Sequence, residues 1–283
     1  EGEFHLRQRR LAQPAFHRNR IQGYAAQMVH EAEQRQARWI DGAELDMVEE
    51  MTSLTFAIVG RTLFGTDLSG DAQSFGDTLA TLIDGFGRLS SIGNERLVRA
   101  LPQGRRLLAM TEDLDVVVQR IIDEHRAAIA TGERRDDLLT WLIEARDVDG
   151  ASRYGSAMTD EQLRDEVMTF VLAGHETTAM ALSWAWYLLA QNPDVDHRLG
   201  LEWSAVLGSD ERSGSLREPA YDDLSALALT SAVVAETIRL YPPAWIMGRR
   251  LLTDMRVGGY DVPSGSIVLG SPWILHRDPA IWS

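Results

Sequence analysis

Apolar residues recur at helical spacing through most of the chain. Residues 44–64, ELDMVEEMTSLTFAIVGRTLF, place Leu45, Val48, Met51, Leu54, Ile58 and Leu63 near one side of a predicted helix, and Gly65 follows as its stop. Residues 111–130 form a second such segment, with Leu114, Val117, Val118, Ile121 and Ile122 on one side. The stretch ATGERRDD after it reads as a solvated loop. Thr159 and Gln162 then have capping-box spacing, with Asp160 and Glu161 placed favourably in a first turn. Leu163, Val167, Phe170, Val171, Ala181, Leu182, Ala185, Leu188 and Leu189 continue that helix until Asn192-Pro193 ends it. At 1.5 Å per residue such a helix spans roughly 45–50 Å and crosses a whole domain.

A further helix ends at AETIRLYPP, where Pro242-Pro243 forbids continuation. The texture then changes. Short β-branched runs in RVGGYDVPSGSIVLG flank Pro263-Ser264-Gly265, which predicts a small hairpin turning there. With no internal repeat, low-complexity tract or linker, the pattern predicts one mainly α domain with minor β over residues 1–283. Residues 1–243 are its helix-rich part and 249–272 its hairpin region.

Three polar constellations interrupt this pattern. The first is AGHETTA, residues 173–179, in the middle of the longest apolar helix. Gly174 there costs up to about 1 kcal/mol relative to Ala. A missing side chain lets a ligand lie against the backbone, and Glu176 and Thr177 would put a carboxylate and a hydroxyl beside it, a pairing suited to proton delivery. The same seven residues also fit a polar stripe facing solvent. A His-Glu-x-x-His zinc site is excluded, because position 179 is Ala179. The second is ETIR, whose Glu236 and Arg239 are three apart and share a helical face, as a surface pair or a structural one. The third is HLRQRR, where His5 and Arg9 lie four apart on one face and can hold an anion such as a carboxylate. Arg7 and Arg10 read as a basic solvated face.

Composition narrows the function classes. The chain is 45% hydrophobic and 25% charged, as in ordinary globular proteins, and no apolar run is long enough to span a membrane. A net charge of −14 argues against a nucleic-acid partner, which demands basic surface to neutralise phosphates. All 28 basic residues are Arg. That suggests bidentate anion clamps or, for most of them, codon bias in a G+C-rich genome. There is no cysteine, so disulfides, Cys nucleophiles and thiolate metal ligands within the chain are excluded.

Together, in this order and separation, AGHETT, ETIRLYPP and EGEFHLRQRRLAQPAFH resemble the cytochrome P-450 superfamily of haem-thiolate monooxygenases, and YDDLSAL and HRDPAIW fit the same family. Each motif alone is weak; their joint occurrence over essentially all 283 residues carries the resemblance. It implies a partial P-450-like helical domain with haem as cofactor. Ala173 and Gly174 would form a kinked floor over the iron, and Glu176 and Thr177 an acid–alcohol pair delivering protons. His5, Arg9 and Arg249 would hold the haem propionates, with Arg249 a better fit to the family's position than Arg250. Glu236 and Arg239 would be a structural ion pair. Phe170, Ala244, Trp245 and Ile246 would contact substrate. His175 fills a variable position of the motif and is not expected to ligate iron. His276 is a weak candidate for approaching a propionate. No metal ligand is assigned, because the family's axial Cys is absent; the chain is expected to be an internal fragment lacking an N-terminal part and the C-terminal Cys loop.

The resemblance implies a monooxygenase inserting one atom of dioxygen into a small apolar organic substrate. Two electrons would come from a ferredoxin, flavodoxin or reductase, in a cytoplasmic protein of the bacterial type. A peroxygenase or isomerase of the same fold is the near rival, disfavoured by the acid–alcohol pair. A degenerate, non-catalytic ligand-binding module is the rival from another class.

Overall fold

The computed structural model describes residues 2–65, 78, 81, 101–133, 135–147, 156–208 and 216–282. They group into two compact units, Glu1–Glu176 and Thr177–Ser283.

The first unit contains α1 (Gly2–Ala12), a 3-10 turn (Gln13–Phe16), α2 (Arg18–Gln36), α3 (Met47–Phe64), α4 (Pro102–Ala130), α5 (Leu138–Glu144) and the start of α6 (Asp160–Gln191). The Asp46 carboxylate caps α3 by accepting from Val48 N at 2.9 Å and Glu49 N at 3.2 Å, and Gly65 closes it in the left-handed region at φ 57°. The expected stop is therefore correct, and of the residues at helical spacing Met51 is buried. Leu45 precedes the helix and Val48 is 51% exposed, whereas Met51, Thr55, Phe56, Val59 and Phe64 are buried. The helix turns to cover its two phenylalanines, which have more apolar area to hide. Thr55 and Thr62 tolerate burial because their hydroxyls donate to the Met51 carbonyl at 2.9 Å and the Ile58 carbonyl at 2.7 Å. Phe56, Val59 and Phe64 join Leu114, Val118, Ile121 and Ile122 of α4, Leu138, Leu139 and Leu142 of α5, and Leu163, Val167 and Val171 of α6 in one core.

Two polar features sit inside this unit against expectation. Arg7, read as solvated, is 1% exposed: its guanidinium donates to the Ala157 carbonyl at 2.6 Å, Gln162 Oε1 at 3.3 Å and Gln8 Oε1 at 2.8 Å. Arg10 pairs with Asp147 at 3.0 Å. The fork of donors finds acceptors that pay for its burial.

The second is a buried pair between His125 of α4 and Asp137, the last residue of the expected solvated loop; Thr131, Gly132, Glu133 and Asp136 of that loop are exposed as expected, and Arg134 lies outside the described residues. Asp137 caps α5 by accepting from Thr140 N at 2.8 Å, and its other oxygen faces His125 Nε2 at 2.9 Å. His125 Nδ1 faces the Ile121 carbonyl at 2.8 Å. Each ring nitrogen thus lies against an oxygen, which holds the ring in place between α4 and the cap of α5.

The second unit carries α6 onward from Thr177, then α7 (Pro193–Leu207), a 3-10 turn (Tyr221–Ser225), α8 (Ala228–Leu240), β1 (Met247–Arg250), β2 (Met255–Val257), β3 (Tyr260–Val262), β4 (Ile267–Gly270) and α9 (Pro272–Leu275). Proline punctuates it as expected: α6 stops before Asn192, Pro193 opens α7, and α8 stops before Tyr241. Glu202 of α7 caps α8 by accepting from Leu229 N at 2.6 Å and Thr230 N at 2.9 Å. In the turn before α8, the Arg217 fork and the Ala220 N–H hold the Asp223 carboxyl at about 2.

The hairpin region differs from its expectation. The tight turn is Gly258-Gly259, at φ 58° and 90°, which joins β2 to β3 with Val257 opposite Tyr260. Two consecutive left-handed residues suit a twisted two-residue connection, and glycine adopts them without strain. Pro263-Ser264-Gly265 instead returns the chain to β4, which runs antiparallel to β1 with Arg249 opposite Val268. The fold is mainly α with small antiparallel β, as the pattern predicted.

Burial pulls the Asp137 carboxyl upward, but the hydrogen bonds from His125 and Thr140 N outweigh it and hold the group below its ordinary value. A carboxyl depressed on folding contributes stability above its unfolded pKa and loses it as pH falls through the folded value. Urea unfolding between pH 5 and pH 2 is expected to show this loss in the wild type and not in Asp137→Asn. At neutral pH, Asp137→Ala is expected to cost about 3–5 kcal/mol, the penalty of leaving one member of a buried pair alone.

Candidate functional site

The site is built on α6, whose sides differ at mid-helix. Leu163, Val167, Val171, His175 and Ala179 follow one another at four-residue spacing and are all at most 4% exposed. Between them Ala173, Gly174, Thr177 and Thr178 are exposed, and Glu176 is half-buried. Thr159 and Gln162 start this helix with the expected reciprocal capping bonds, at 3.2 and 3.3 Å. From Asp160 to Gln191 the helix is unbroken, so the expected kink at Ala173-Gly174 does not interrupt it.

Among the described residues, packing does not require a glycine at 174. A Cβ built there meets only Val59 Cγ2, at 3.6 Å, an ordinary contact. A residue that weakens a helix and is not needed by its described neighbours leaves open backbone, the kind of surface a flat ligand can approach.

His175 points elsewhere. Its ring packs edge-on against Phe56 of α3, centroids 5.3 Å apart, and its Nε2 lies 3.2 Å from the Thr52 carbonyl. Burial lowers its pKa, against the opposing effect of that bond, so the ring is neutral at neutral pH. Nothing in the sequence marked this contact.

On α1, His5 and Arg9 are both exposed and share a face, while Arg7, Gln8, Leu11 and Ala12 occupy the buried side. Gln8 Nε2 donates to Glu166 Oε1 of α6 at 3.4 Å. Burial raises the Glu166 carboxyl above its ordinary value, with Gln8 and His5 opposing. Phe170 is half-buried, its ring tilted at 58° against Phe16 with centroids 5.2 Å apart. The first unit thus sets two basic groups on one exposed face of α1, and a bare turn on α6.

In the second unit, Arg239 donates from Nε and Nη2 to the two Glu236 oxygens, each at 2.6 Å, and from Nη1 to the His276 carbonyl at 2.6 Å. The Arg239 bonds hold the Glu236 carboxyl below its ordinary value. Half of the Glu236 side chain remains exposed. His276 is turned to this cluster, its Nδ1 lying 3.3 Å from the Arg239 carbonyl and its ring against Trp282. Arg277 stacks over Trp273 at 3.4 Å and donates to the Leu240 carbonyl, so the end of α8 is tied to the segment around α9. Arg249 lies exposed on β1, with Nη1 donating to the Gly248 carbonyl at 2.8 Å. Ala244, Trp245 and Ile246 are exposed in the connection from α8 to β1. An open apolar groove of about 350 Å³ runs along Leu188, Leu189, Val195, Val233 and Leu240, with Glu236 at its edge. Among the described residues no group of three acidic or histidine side chains is arranged to hold a metal ion.

The family model described as Cytochrome P450 matches residues 1–283. Cyclooctatin synthase of Streptomyces melanosporofaciens is 39% identical over 281 residues, which cover 98% of this chain and 58% of that protein. Pentalenene oxygenase of Streptomyces avermitilis is 34% identical over 274 residues, 96% of this chain and 58% of its own. Cyclooctat-9-en-7-ol 5-monooxygenase of Streptomyces melanosporofaciens is 32% identical over 285 residues, 99% and 59%. The chain spans about three-fifths of the length of the curated relatives it matches.

If Gly174 serves a ligand rather than packing, Gly174→Ala should not harm the fold. Its expected effect is an unfolding free energy higher by about 0.4–1 kcal/mol, read from urea melts of this chain without added ligand. A clear destabilisation would show that the bare turn is needed for folding itself.

Proposed function

Because the chain belongs to the cytochrome P450 family, we propose that the protein carrying it is a haem-dependent monooxygenase acting on an apolar cyclic substrate. The observation that carries this reading is the bare turn Ala173–Thr177, placed on a helix whose other side is sealed by Val171, His175 and Ala179. The residues present fit haem. Ala173 and Gly174 present no bulk to a flat ring, and His5 and Arg9, one turn apart on an exposed face, match its two carboxylate arms. Arg249, exposed on β1, is assigned the same task. Bound haem would supply the activation of dioxygen and the transfer of one of its atoms to a carbon–hydrogen or carbon–carbon π bond, the other leaving as water with two electrons and two protons.

The chain's own residues position, exclude water and handle protons. The half-buried Glu176 carboxylate is assigned to take a proton from solvent and pass it to the hydroxyl of the neighbouring, exposed Thr177. Glu236 and Arg239 hold α8 against the segment after α9 and touch no reacting atom. Phe170, Ala244, Trp245 and Ile246 are assigned to the substrate. This chain contains no cysteine, so a thiolate ligand for the haem would have to be supplied by another part of the parent protein.

The substrate class we propose is supported by the names of two relatives, pentalenene oxygenase and cyclooctat-9-en-7-ol 5-monooxygenase. We assign this protein a cyclic alkene, or an alcohol derived from one, of terpene type. Electrons would come from a separate redox protein. No helix among the described residues is long and apolar enough to cross a membrane.

Two measurements on the full-length protein test the reading. The reduced carbon-monoxide complex is expected to show the Soret band of thiolate ligation, and a band typical of histidine ligation would overturn it. Thr177→Ala is expected to lower product formed per dioxygen consumed by about tenfold or more, with the balance released as peroxide.

A further inference from the structure

The buried stripe of α6 contains one polar residue. Leu163, Val167, Val171 and Ala179 grip their neighbours through apolar contact, which has no preferred direction and tolerates small rotations. His175 instead makes a directional bond, Nε2–H donating to the Thr52 carbonyl of α3 at 3.2 Å, and braces its ring at 83° against Phe56. Its other ring nitrogen, Nδ1, is buried and has no hydrogen-bond partner among the described residues. A leucine would fill such a place with more apolar contact and no unsatisfied nitrogen, so stability alone does not ask for histidine.

The location of the bond suggests what it does. His175 lies between Gly174 and Glu176, the turn at which α6 has no long side chain on its exposed side. Ala173 and Gly174 carry no long side chain, so the directional bond of His175 to α3 is well placed to fix the azimuth of the helix there. Successive helical residues are about 100° apart, and a modest rotation moves Ala173, Gly174 and Thr177 together away from their common direction.

We propose that His175 is a positioning residue: its bond to Thr52 fixes the rotation of α6 so that Ala173, Gly174 and Thr177 face the haem. The role rests on the proposed haem-facing site and acts through helix orientation, not through contact with the cofactor. Thr52 and Phe56 of α3 are its partners, so α3 acts as the reference against which the bare turn is aimed. Thr55 donates to the same Thr52 carbonyl at 3.2 Å, which anchors that acceptor from its own helix.

The test compares His175→Leu with His175→Gln in the full-length protein, because glutamine keeps a donor that reaches the Thr52 carbonyl. Three readouts separate orientation from stability. The urea midpoint of His175→Leu is expected to equal or exceed that of the wild type. Hydrogen exchange of the amides of residues 173–178 is expected to quicken by about two- to tenfold in His175→Leu, the loss of one hydrogen bond. Imidazole, which binds the iron from the open side and shifts the Soret band, is expected to bind with a dissociation constant changed by a similar factor. His175→Gln should restore both. Wild-type exchange and imidazole binding in His175→Leu, or the same change in both variants, overturns the proposal. A wild-type protein that gives no haem Soret band removes the functional reading and with it the role proposed for His175. Exchange at 173–178 needs no haem, so a wild-type exchange rate in His175→Leu sinks the helix-orienting role even where the haem reading survives.

Discussion

The constraint on which the proposed site depends is that α6 is held on one side and left with short side chains on the other. Leu163, Val167, Val171, His175 and Ala179 bury one stripe, while Ala173 and Gly174 reduce the opposite side to little more than backbone. A mid-helix glycine weakens a helix by up to about 1 kcal/mol, and the apolar packing of the other stripe supplies the compensation. The bare turn is a feature of a well-packed unit, in which α1 and α3 are both engaged with α6.

Around that helix, orientation is set less by the apolar core than by directional polar contacts inside it. Arg7 ties α1 to the start of α6, His125 and Asp137 tie α4 to the cap of α5, and Glu202 holds the first turn of α8. Apolar clusters supply most of the free energy of folding but specify angle poorly; hydrogen bonds add less net energy and far more direction. The exclusive use of arginine gains meaning here. Arg35 on Glu50, Arg217 on Asp223 and Arg239 on Glu236 are two-pronged pairs, which a lysine ammonium cannot reproduce.

Family membership and the bare turn make a coherent functional account. The family implies the cofactor, and in the proposed reading this chain offers it the short side chains of Ala173 and Gly174, His5 and Arg9 on α1, and Glu176 and Thr177 on α6. The pair in α8 belongs to the architecture: Glu236 is half exposed, and Arg239 spends its third contact on a backbone carbonyl 37 positions away.

Starts and stops of helices were legible in the residues alone. The Thr159–Gln162 capping box, the Gly65 stop, the prolines at 193 and 242 and the position of AGHETT act through contacts within a few residues, so local sequence carries them. Tertiary structure decided what is buried and what it faces. Arg7 meets Gln162 at a separation of 155 residues and His175 meets Thr52 at 123, and no periodicity encodes partners that far apart. The same reason moved Asp137 from an expected solvated loop into the core, and moved the hairpin turn to Gly258-Gly259 once β4 paired with β1. Backbone chemistry and capping are local and readable in the chain, whereas burial and hydrogen-bond pairing are properties of neighbours that only folding brings together.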